Sequence, residues 1–293
     1  MVRAMPVVFV LIWSTGFVVA RLAMPHAPPF GFLSIRFALS AICFVLWMRL
    51  AGVAWPRGRT AIGHLAVTGV LMQAAYLGGV WAAVRSGLGA GTVALIVGLQ
   101  PVLTAVWMSA RGGEGGSAEP VARRQWLGLV LGLLGLGLVV WNRLGAGEMT
   151  PFNLALAAAA LAGITVGTLY QKRFVQPCDV RAASAVQMLA ALAVALPIAL
   201  LEPGTIDWRH RDFVIAMAWS VLVLTLGGSS LLYILIQRGA ATAVTSLLYL
   251  VPPCTAAMAW VLFDEPVTGL MVAGMIAIAI GVSLVVRTPR SSG

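Results

Sequence analysis

The chain has 293 residues, of which 60% are hydrophobic and only 10% are charged. A soluble domain carries about 25% charged residues, so this composition excludes a soluble globular protein and predicts a polytopic membrane protein. The net charge of +10 is spread over single and paired basic residues in short loops, where such residues set membrane topology and do not indicate nucleic-acid binding.

Ten stretches of the sequence are long and apolar enough to cross a membrane, which takes about 20 mostly apolar residues. We number them spans 1 to 10 and expect an all-α integral membrane protein with ten transmembrane helices. Arg3 precedes span 1 without an Ala-x-Ala cleavage site, so we expect this span to be uncleaved. The predicted spans cover approximately residues 5–23, 30–50, 63–86, 90–111, 125–143, 151–173, 181–201, 212–237, 241–263 and 266–287.

Basic residues are distributed unequally between the two sides that these spans define. Thirteen Lys and Arg residues lie in the N-terminus, the even-numbered loops and the C-terminus, against five in the odd-numbered loops. Cytoplasmic loops carry an excess of Lys and Arg. The distribution therefore predicts that both termini are cytoplasmic, and we expect the protein in a bacterial inner membrane.

The two halves of the chain repeat each other at a constant offset of 151 residues. Five pairs match at this offset: Gly16 and Gly167, Arg21 and Lys172, Ala90 and Ala241, Pro101 and Pro252, and Glu114 and Glu265. Spans 5 and 10 also share a Gly-x6-Gly pattern. We therefore divide the chain into two five-helix units, residues 1–144 and 145–293, that form one structure. Because each unit has an odd number of spans, the second enters the membrane from the opposite side, which predicts inverted repeats.

Pro101 and Pro252 fall in the middle of spans 4 and 9. A proline inside a helix removes one backbone hydrogen bond and bends the helix, and lipid cannot satisfy the carbonyl that is freed. Broken helices at matching places in two halves indicate the substrate site of a transporter. A kink that serves packing alone is the alternative interpretation for each proline.

Several motifs resemble those of the drug/metabolite transporter superfamily, EamA family. They are Trp13-Ser-Thr-Gly-Phe17 in span 1, Arg36-Phe37 in span 2, and the two units in which a mid-span proline is followed by Gly-Glu or Asp-Glu. The resemblance covers nearly the whole chain. It implies ten helices, cytoplasmic termini, a central cavity lined by both halves, and the export of aromatic and other amino acids. The Gly-rich insertion after Glu114 departs from the family pattern.

Polar and aromatic side chains inside the spans are the candidates for lining this cavity. A tyrosine hydroxyl at membrane depth needs a partner, so it either bonds a neighbouring helix or faces a wet cavity, and both interpretations stay open. Gln100 must likewise hydrogen-bond something, and we expect polar groups of the substrate or cavity water. The predicted cavity residues are Trp13, Tyr76, Trp81, Gln100, Pro101, Tyr170, Ser230, Tyr233, Tyr249 and Pro252.

Glycine pairs at near-matching places in the two halves are candidate hinges. Glycine permits both backbone bending and close approach of helices. The pairs are Gly78-Gly79 in span 3 and Gly227-Gly228 in span 8. Close packing explains either pair alone equally well.

Charged residues are rare inside the spans. All nine Asp and Glu residues and all three histidines lie in loops or at predicted span ends, so we predict no intramembrane proton relay. Arg36 falls well within a span, in the first third of span 2. It either attracts a carboxylate or snorkels to the membrane interface, and we expect snorkelling.

These features predict a membrane transporter that exports small metabolites, above all amino acids with apolar or aromatic side chains, by alternating access. A multidrug or other metabolite exporter of the same superfamily, coupled to protons or not, is the alternative. The sequence lacks intramembrane-enzyme motifs such as His-Glu-x-x-His, so we predict no enzyme activity. The scattered cysteines and histidines predict no metal and no cofactor. The expected partners are a small-molecule substrate and the lipid bilayer, with no nucleic acid, and a monomer suffices.

Overall fold

The structure is a computed structural model that describes residues 5–110, 123–145, 149–228, 231 and 250–286. Over these ranges the chain is helical and contains no strand. Its helices, in chain order, are α1 (Met5–Ala23), α2 (Pro29–Leu50), α3 (Arg59–Arg85), α4 (Ala90–Val97), α5 (Gln100–Ala110), α6 (Arg123–Gly145), α7 (Pro151–Phe174), α8 (Val180–Leu201), α9 (Arg211–Ala218, continued by Trp219–Gly227), α10 (Val251–Phe263) and α11 (Gly269–Val286).

The helices follow the predicted spans closely. Four of them, α2, α3, α7 and α8, are by themselves long and apolar enough to cross a membrane. The second part of span 8 and the first part of span 9 lie outside the described residues. The all-helical fold is therefore confirmed over the described ranges, and the count of ten spans stays a prediction.

Span 4 consists of two separate helices, α4 and α5, so the helix interruption predicted for this span is a complete break. Between α4 and α5 the amide of Leu99 donates to the carbonyl of Ile96 at 3.2 Å in a tight turn. Pro101 then lies in the first turn of α5, and Pro252 lies in the first turn of α10. The first N–H groups of a helix have no intrahelical partner, so a proline is tolerated there without a lost hydrogen bond.

Two helices contain a π-helical segment, in which the backbone hydrogen bonds span five residues. The segment covers Val70–Ala75 in α3 and Trp219–Gly227 in α9. The offset of 151 maps residues 70–75 onto 221–226, so the two segments occupy matching places in the halves. Such segments are rare and occur often at functional sites. No feature of the sequence predicted them.

Helices α6 and α11 pack through glycines that bring their backbones close together. A Cβ atom on Gly281 would lie 2.5 Å from the Gly128 carbonyl oxygen, and one on Gly135 would lie 2.7 Å from the Gly274 carbonyl oxygen. The residue numbers increase along α6 as they decrease along α11, so the two helices are antiparallel. Small residues at such contacts are the usual means of close helix packing in membranes.

Helices α2 and α8 are antiparallel in the same way. At the start of α2 the amide of Phe30 donates to the Glu202 carboxylate, which follows α8, at 2.8 Å. At the other end the Arg181 guanidinium, in the first turn of α8, lies 5.7 Å from the ring centroid of Trp47. The whole length of α2 therefore runs beside α8.

Helices α4 and α10 form a third antiparallel pair. A Cβ atom on Gly91 would lie 3.2 Å from the Cα atom of Ala256, and one on Gly98 would lie 2.9 Å from the ring of Pro252. Other contacts between the halves follow the same symmetry. Helix α3 of the first half packs on α7 and α8 of the second half, and its counterpart α9 packs on α1 and α2, which are the counterparts of α7 and α8. These contacts between the halves thus have counterparts with the halves exchanged.

The odd-numbered loops meet at one end of the bundle, which we call the odd-loop face. It comprises residues 24–28, 86–89, 149–150, 202–210 and 264–268. The amide of Asp207 donates to the carbonyl of His26 at 2.9 Å, and the side-chain amide of Asn153 donates to the carbonyl of Ser86 at 3.4 Å. Both bonds join the first half of the chain to the second.

Glu265 makes the most concentrated set of contacts at this face. Its carboxylate accepts hydrogen bonds from the amides of Ala90 at 3.0 Å and Gly91 at 3.4 Å, at the start of α4. The Arg21 guanidinium lies 3.7 Å from the same carboxylate. A negative charge at a helix N-terminus is stabilised by the unpaired amides and the helix dipole. We call Arg21, Ala90, Gly91 and Glu265 the odd-loop gate.

A second contact at this face involves two histidines. The rings of His26 and His210 stack with centroids 3.5 Å apart and an interplanar angle of 15°, and the Asp212 carboxylate lies 3.9 Å from His26 Nε2. These three side chains are of the type that ligates metals. The lone pairs of near-parallel rings lie within separate planes and do not converge on one point, so we interpret the cluster as a stacking contact between loops.

Replacing Gly281 by alanine tests the contact between α6 and α11. The added methyl group would lie 2.5 Å from the Gly128 carbonyl oxygen, so the helices must separate. We expect the free energy of unfolding to fall by about 1–3 kcal/mol, measured as a lower Tm in detergent. Gly137→Ala in α6 is the matched control, because its methyl group would have nothing within 4 Å. Equal Tm values for the two variants would contradict the contact.

Candidate functional site

A cavity of about 120 Å³ lies between six helices, α1, α2, α3, α7, α8 and α9. Three of these helices belong to each half of the chain, so the cavity is lined by both halves. Its volume is below the roughly 300 Å³ at which ligand pockets usually begin. The cavity must therefore widen to enclose a ligand of that size.

Three of the predicted cavity residues line this cavity, namely Trp13, Tyr76 and Trp81. The ring of Trp81 stacks on Phe32 with centroids 4.4 Å apart and is only 1% exposed. Trp13 packs on Phe9 with ring centroids 5.3 Å apart. These contacts hold the two indole rings in place, so the aromatic part of the lining is preformed.

The π segment of α3 and the residues that follow it supply much of the lining. Behind this stretch, α7 and α8 approach closely through glycines. A Cβ atom on Gly163 would lie 3.0 Å from the amide nitrogen of Tyr76, and one on Gly69 would overlap the backbone of Gln187. The residues that α3 contributes to the cavity are Met72, Gln73, Tyr76, Leu77, Val80 and Trp81.

Arg36 also lines the cavity, and the expectation that it snorkels to the interface is wrong. The side chain is only 7% exposed. Its guanidinium donates from Nη2 to the Thr225 hydroxyl oxygen at 3.3 Å, which bridges α2 to α9. Snorkelling was expected because a helix alone offers an arginine no acceptor, whereas the neighbouring helix supplies one here. A lone charge within a predicted span was the sequence signal for this residue.

The position of Thr225 depends on the second π segment. Its hydroxyl group donates to the carbonyl oxygen of Ser220, five residues earlier, at 2.8 Å. Thr225 is itself buried. Because the hydroxyl proton points to the Ser220 carbonyl, the Thr225 hydroxyl oxygen is an acceptor for Arg36. Thr225 and Leu224, which also lines the cavity, were not predicted from the sequence.

Two predicted cavity residues have partners elsewhere. The side-chain amide of Gln100 donates to the Thr168 hydroxyl at 3.1 Å, a bond between α5 and α7. The Tyr170 hydroxyl bonds to Nδ1 of His64 at 2.8 Å. Neither residue lines the described cavity, so these bonds favour a role in joining helices.

The remaining predicted cavity residues are the prolines and three polar residues of spans 8 and 9. Pro101 and Pro252 do not line the cavity. Ser230, Tyr233 and Tyr249 lie outside the described residues, and their place in the cavity stays a prediction.

The two glycine pairs differ in their surroundings. A Cβ atom on Gly79 would lie 2.7 Å from the carbonyl oxygen of Leu156, and one on Gly78 would lie 2.8 Å from an aromatic ring of α2. Gly227 ends the π segment of α9 and Gly228 follows it, and among the described residues Cβ atoms there would meet only carbonyls of their own helix, at 3.3 and 3.8 Å. Close packing therefore explains the first pair, and the hinge role of both pairs stays a prediction.

The sequence profile of the EamA-like transporter family matches residues 4–141 and again residues 151–287. The chain belongs to the EamA-like transporter family. The predicted membership is thereby confirmed, and this is a membrane transporter with several apolar helices. The two matches also show that the sequence unit of the family occurs twice in the chain.

Relatives of known name resemble the chain over nearly its whole length. A "Probable amino-acid metabolite efflux pump" of Salmonella typhimurium is 24% identical over 97% of this chain and 96% of its own length. The Escherichia coli (strain K12) protein of the same name is 22% identical, over 93% and 90%. Within the family, the sequence motifs are most like those of the amino-acid exporter YddG, and these relatives are consistent with that likeness. A crystal structure of another protein superposes over 96% of this chain and 95% of that chain, with a TM-score of 0.61 at 17% identity, which shows a shared fold.

Filling the cavity from Gly16 tests whether it is the transport site. Among the described residues, a Cβ atom on Gly16 would meet only Leu224, at 3.9 Å, which is an ordinary contact. A leucine there extends into the cavity and is a better helix former than glycine by about 1 kcal/mol. We expect Gly16→Leu to fold with an undiminished Tm and to lose most of its transport in proteoliposomes. Gly63→Leu, which has open space around it, should transport normally, and normal transport by both variants would contradict this site.

Proposed function

We propose that the protein exports amino acids with apolar or aromatic side chains by alternating access. The observation that carries this proposal is a cavity lined by both halves of the chain, together with an odd-loop face at which contacts join the halves. Two relatives named as probable amino-acid metabolite efflux pumps support the substrate class. The aromatic lining suits apolar side chains of the substrate.

We also propose that residues 1–144 and 145–293 are inverted repeats. The pairs α2 with α8 and α6 with α11 each join corresponding helices of the two halves, and the pair α4 with α10 joins parts of the corresponding spans 4 and 9. Antiparallel packing within each pair supports the inversion, because units inserted in the same sense would have corresponding helices pointing the same way. The paired contacts Gly128–Gly281 and Gly135–Gly274 are of the kind that a two-fold axis in the membrane plane produces.

The odd-loop gate has a counterpart in the sequence of the other half. The offset of 151 relates its members Arg21, Ala90 and Glu265 to Lys172, Ala241 and Glu114. Ala241 and Glu114 lie outside the described residues, so this correspondence rests on the sequence alone. We propose that these three residues make an equivalent gate at the opposite face when the odd-loop gate is open. Alternating access then exchanges one closed gate for the other.

The charge pattern supports an orientation and a mode of transport. The excess of Lys and Arg in the even-numbered loops supports an orientation with the odd-loop face in the periplasm and the termini in the cytoplasm of a bacterium. The six acidic residues within the described ranges lie at helix ends or in loops. We therefore propose transport down the substrate gradient without an intramembrane proton relay.

Uptake into liposomes tests the proposed substrate class. Purified protein, with no proton gradient imposed, should take up several labelled amino acids with saturation. Bulky apolar amino acids should compete with this uptake, because they fill the aromatic part of the cavity. Protein-free liposomes and the Gly16→Leu variant are the controls. No uptake above these controls for the whole panel would overturn the amino-acid proposal and direct attention to drugs and other metabolites.

Replacing Glu265 by glutamine tests the odd-loop gate. The change removes the charge that attracts Arg21 and the α4 amides, which is worth about 1 kcal/mol, or roughly a fivefold shift towards opening at this face. The measurement is the rate at which an impermeant thiol reagent labels Leu224→Cys from the periplasmic side of spheroplasts. The three natural cysteines are replaced in this background.

Asp179→Asn is the matched control for the gate experiment. Asp179 precedes α8 at the opposite end from the odd-loop face, and hydrogen bonds from the Arg181 side chain hold the pKa of its carboxyl below the ordinary value. It is thus also a charged cap paired with an arginine, at 2.7 Å. Faster labelling in Glu265→Gln alone supports the gate, whereas unchanged or slower labelling in that variant contradicts it.

A further inference from the structure

We propose that the Arg36 guanidinium binds the carboxylate of the substrate. The cavity would then select monocarboxylic compounds with apolar side chains and discriminate against amines and amides of the same shape. This inference rests on the transport function proposed above and adds the chemical group by which the substrate is recognised.

Arg36 is a buried cation without a carboxylate partner in the part of the chain that the structure describes. The ion pairs there join other residues: Arg21 with Glu265, and Arg181 with Asp179. A buried charge that lacks a partner is strongly unfavourable. An ionisable side chain at membrane depth therefore marks a functional site unless a partner explains it.

The guanidinium also has hydrogen-bonding capacity to spare. It carries five N–H donors in a planar fork, and among the described residues it makes one hydrogen bond, to Thr225. The Thr225 hydroxyl group donates its hydrogen bond to the Ser220 carbonyl. The Thr225 hydroxyl oxygen therefore accepts from Arg36 and orients the guanidinium group. The remaining donors match the two oxygens of a carboxylate, which arginine binds in a bidentate manner.

The rest of the lining indicates what the remainder of the substrate is like. Arg36 is the one charged side chain among the described lining residues, and most of the others are apolar or aromatic. No carboxylate of this lining is available to an ammonium group. Among the described lining residues, Gln73 and Tyr76 carry side-chain oxygens and Trp13 carries an aromatic ring of the kind that makes cation–π contacts. Binding should therefore depend more on the carboxylate than on the ammonium group.

A purely structural role for Arg36 makes a different prediction about stability. If the side chain held the helices together, Arg36→Gln would lower the Tm of the substrate-free protein. If it is a cation kept for a ligand, removing the uncompensated charge leaves that Tm unchanged or raises it. The Tm without substrate thus separates the two roles before any transport is measured.

The first experiment uses the unaltered protein and three ligands of similar shape. These are L-phenylalanine, 3-phenylpropionate, which lacks the ammonium group, and L-phenylalaninamide, which lacks the carboxylate. Competition against labelled phenylalanine uptake in proteoliposomes gives their relative affinities. We expect 3-phenylpropionate to compete and the amide to compete at least about tenfold more weakly than phenylalanine, the loss expected for charged hydrogen bonds. An amide that competes as well as phenylalanine would overturn the inference.

The second experiment compares Arg36→Gln and Arg36→Lys with Arg49→Gln, an exposed arginine at the other end of the same helix. Ligand-induced thermal stabilisation in detergent reports binding without transport. Arg36→Gln should bind phenylalanine at least about tenfold more weakly and the amide unchanged, Arg36→Lys should retain part of the affinity, and the control should bind normally.

The two proposals fail in distinguishable ways. If the unaltered protein neither binds nor transports any amino acid, the proposed function is wrong and the inference falls with it. If the unaltered protein transports phenylalanine and Arg36→Gln binds it equally well, the inference alone is wrong. Equal weakening of phenylalanine and its amide by Arg36→Gln would likewise overturn the carboxylate role. A variant that does not fold leaves the comparison of the three ligands to decide.

Discussion

Polar groups inside a membrane protein must find partners within the protein or in a water-filled cavity, because lipid offers none. This constraint explains several contacts that join the helices, such as the bond from Gln100 to Thr168 and the bond from Thr225 to Ser220. At Arg36 the described residues meet the constraint only in part, with a single hydrogen bond. The place where the protein leaves a charge incompletely satisfied is also the place where it encloses a cavity, and this coincidence underlies the proposed substrate site.

The shape of the bundle follows from how closely the helices approach one another. Glycines allow backbone contact between α6 and α11, and between α3 and its neighbours α7 and α8. The π segments then adjust which side chains reach the interior: one precedes Tyr76, and the other contains Thr225. At the odd-loop face, Glu265 accepts hydrogen bonds from the first amides of α4, which have no partner within the helix. Close packing, local helix distortion and a charged cap together position the cavity beneath a face where the halves are joined.

The sequence predicts the features that depend on lipid contact and fails for those that depend on neighbouring helices. The apolar helices, the repeat and the family unit could be predicted because apolar runs and the 151-residue offset are visible in one dimension, and three of the candidate cavity residues, Trp13, Tyr76 and Trp81, line the described cavity. The π segments have no residue signature that marks them. Snorkelling was expected of Arg36 because its partner Thr225 lies on α9, which no local pattern brings to it, and the bond from Gln100 to Thr168 on α7 is equally invisible in the sequence.

The offset that relates the halves pairs Arg36 with Gln187, whose backbone packs against Gly69. Two identical units would carry either two cations or none at these equivalent positions. Joining the units in one chain lets them differ, so one cation, Arg36, lies in a cavity lining whose other described residues are uncharged. If Arg36 binds the substrate carboxylate as proposed, a ligand would lie in the cavity in one orientation only. Near-symmetry of the halves would then support the proposed exchange between two conformations, while the difference at one residue would orient the substrate.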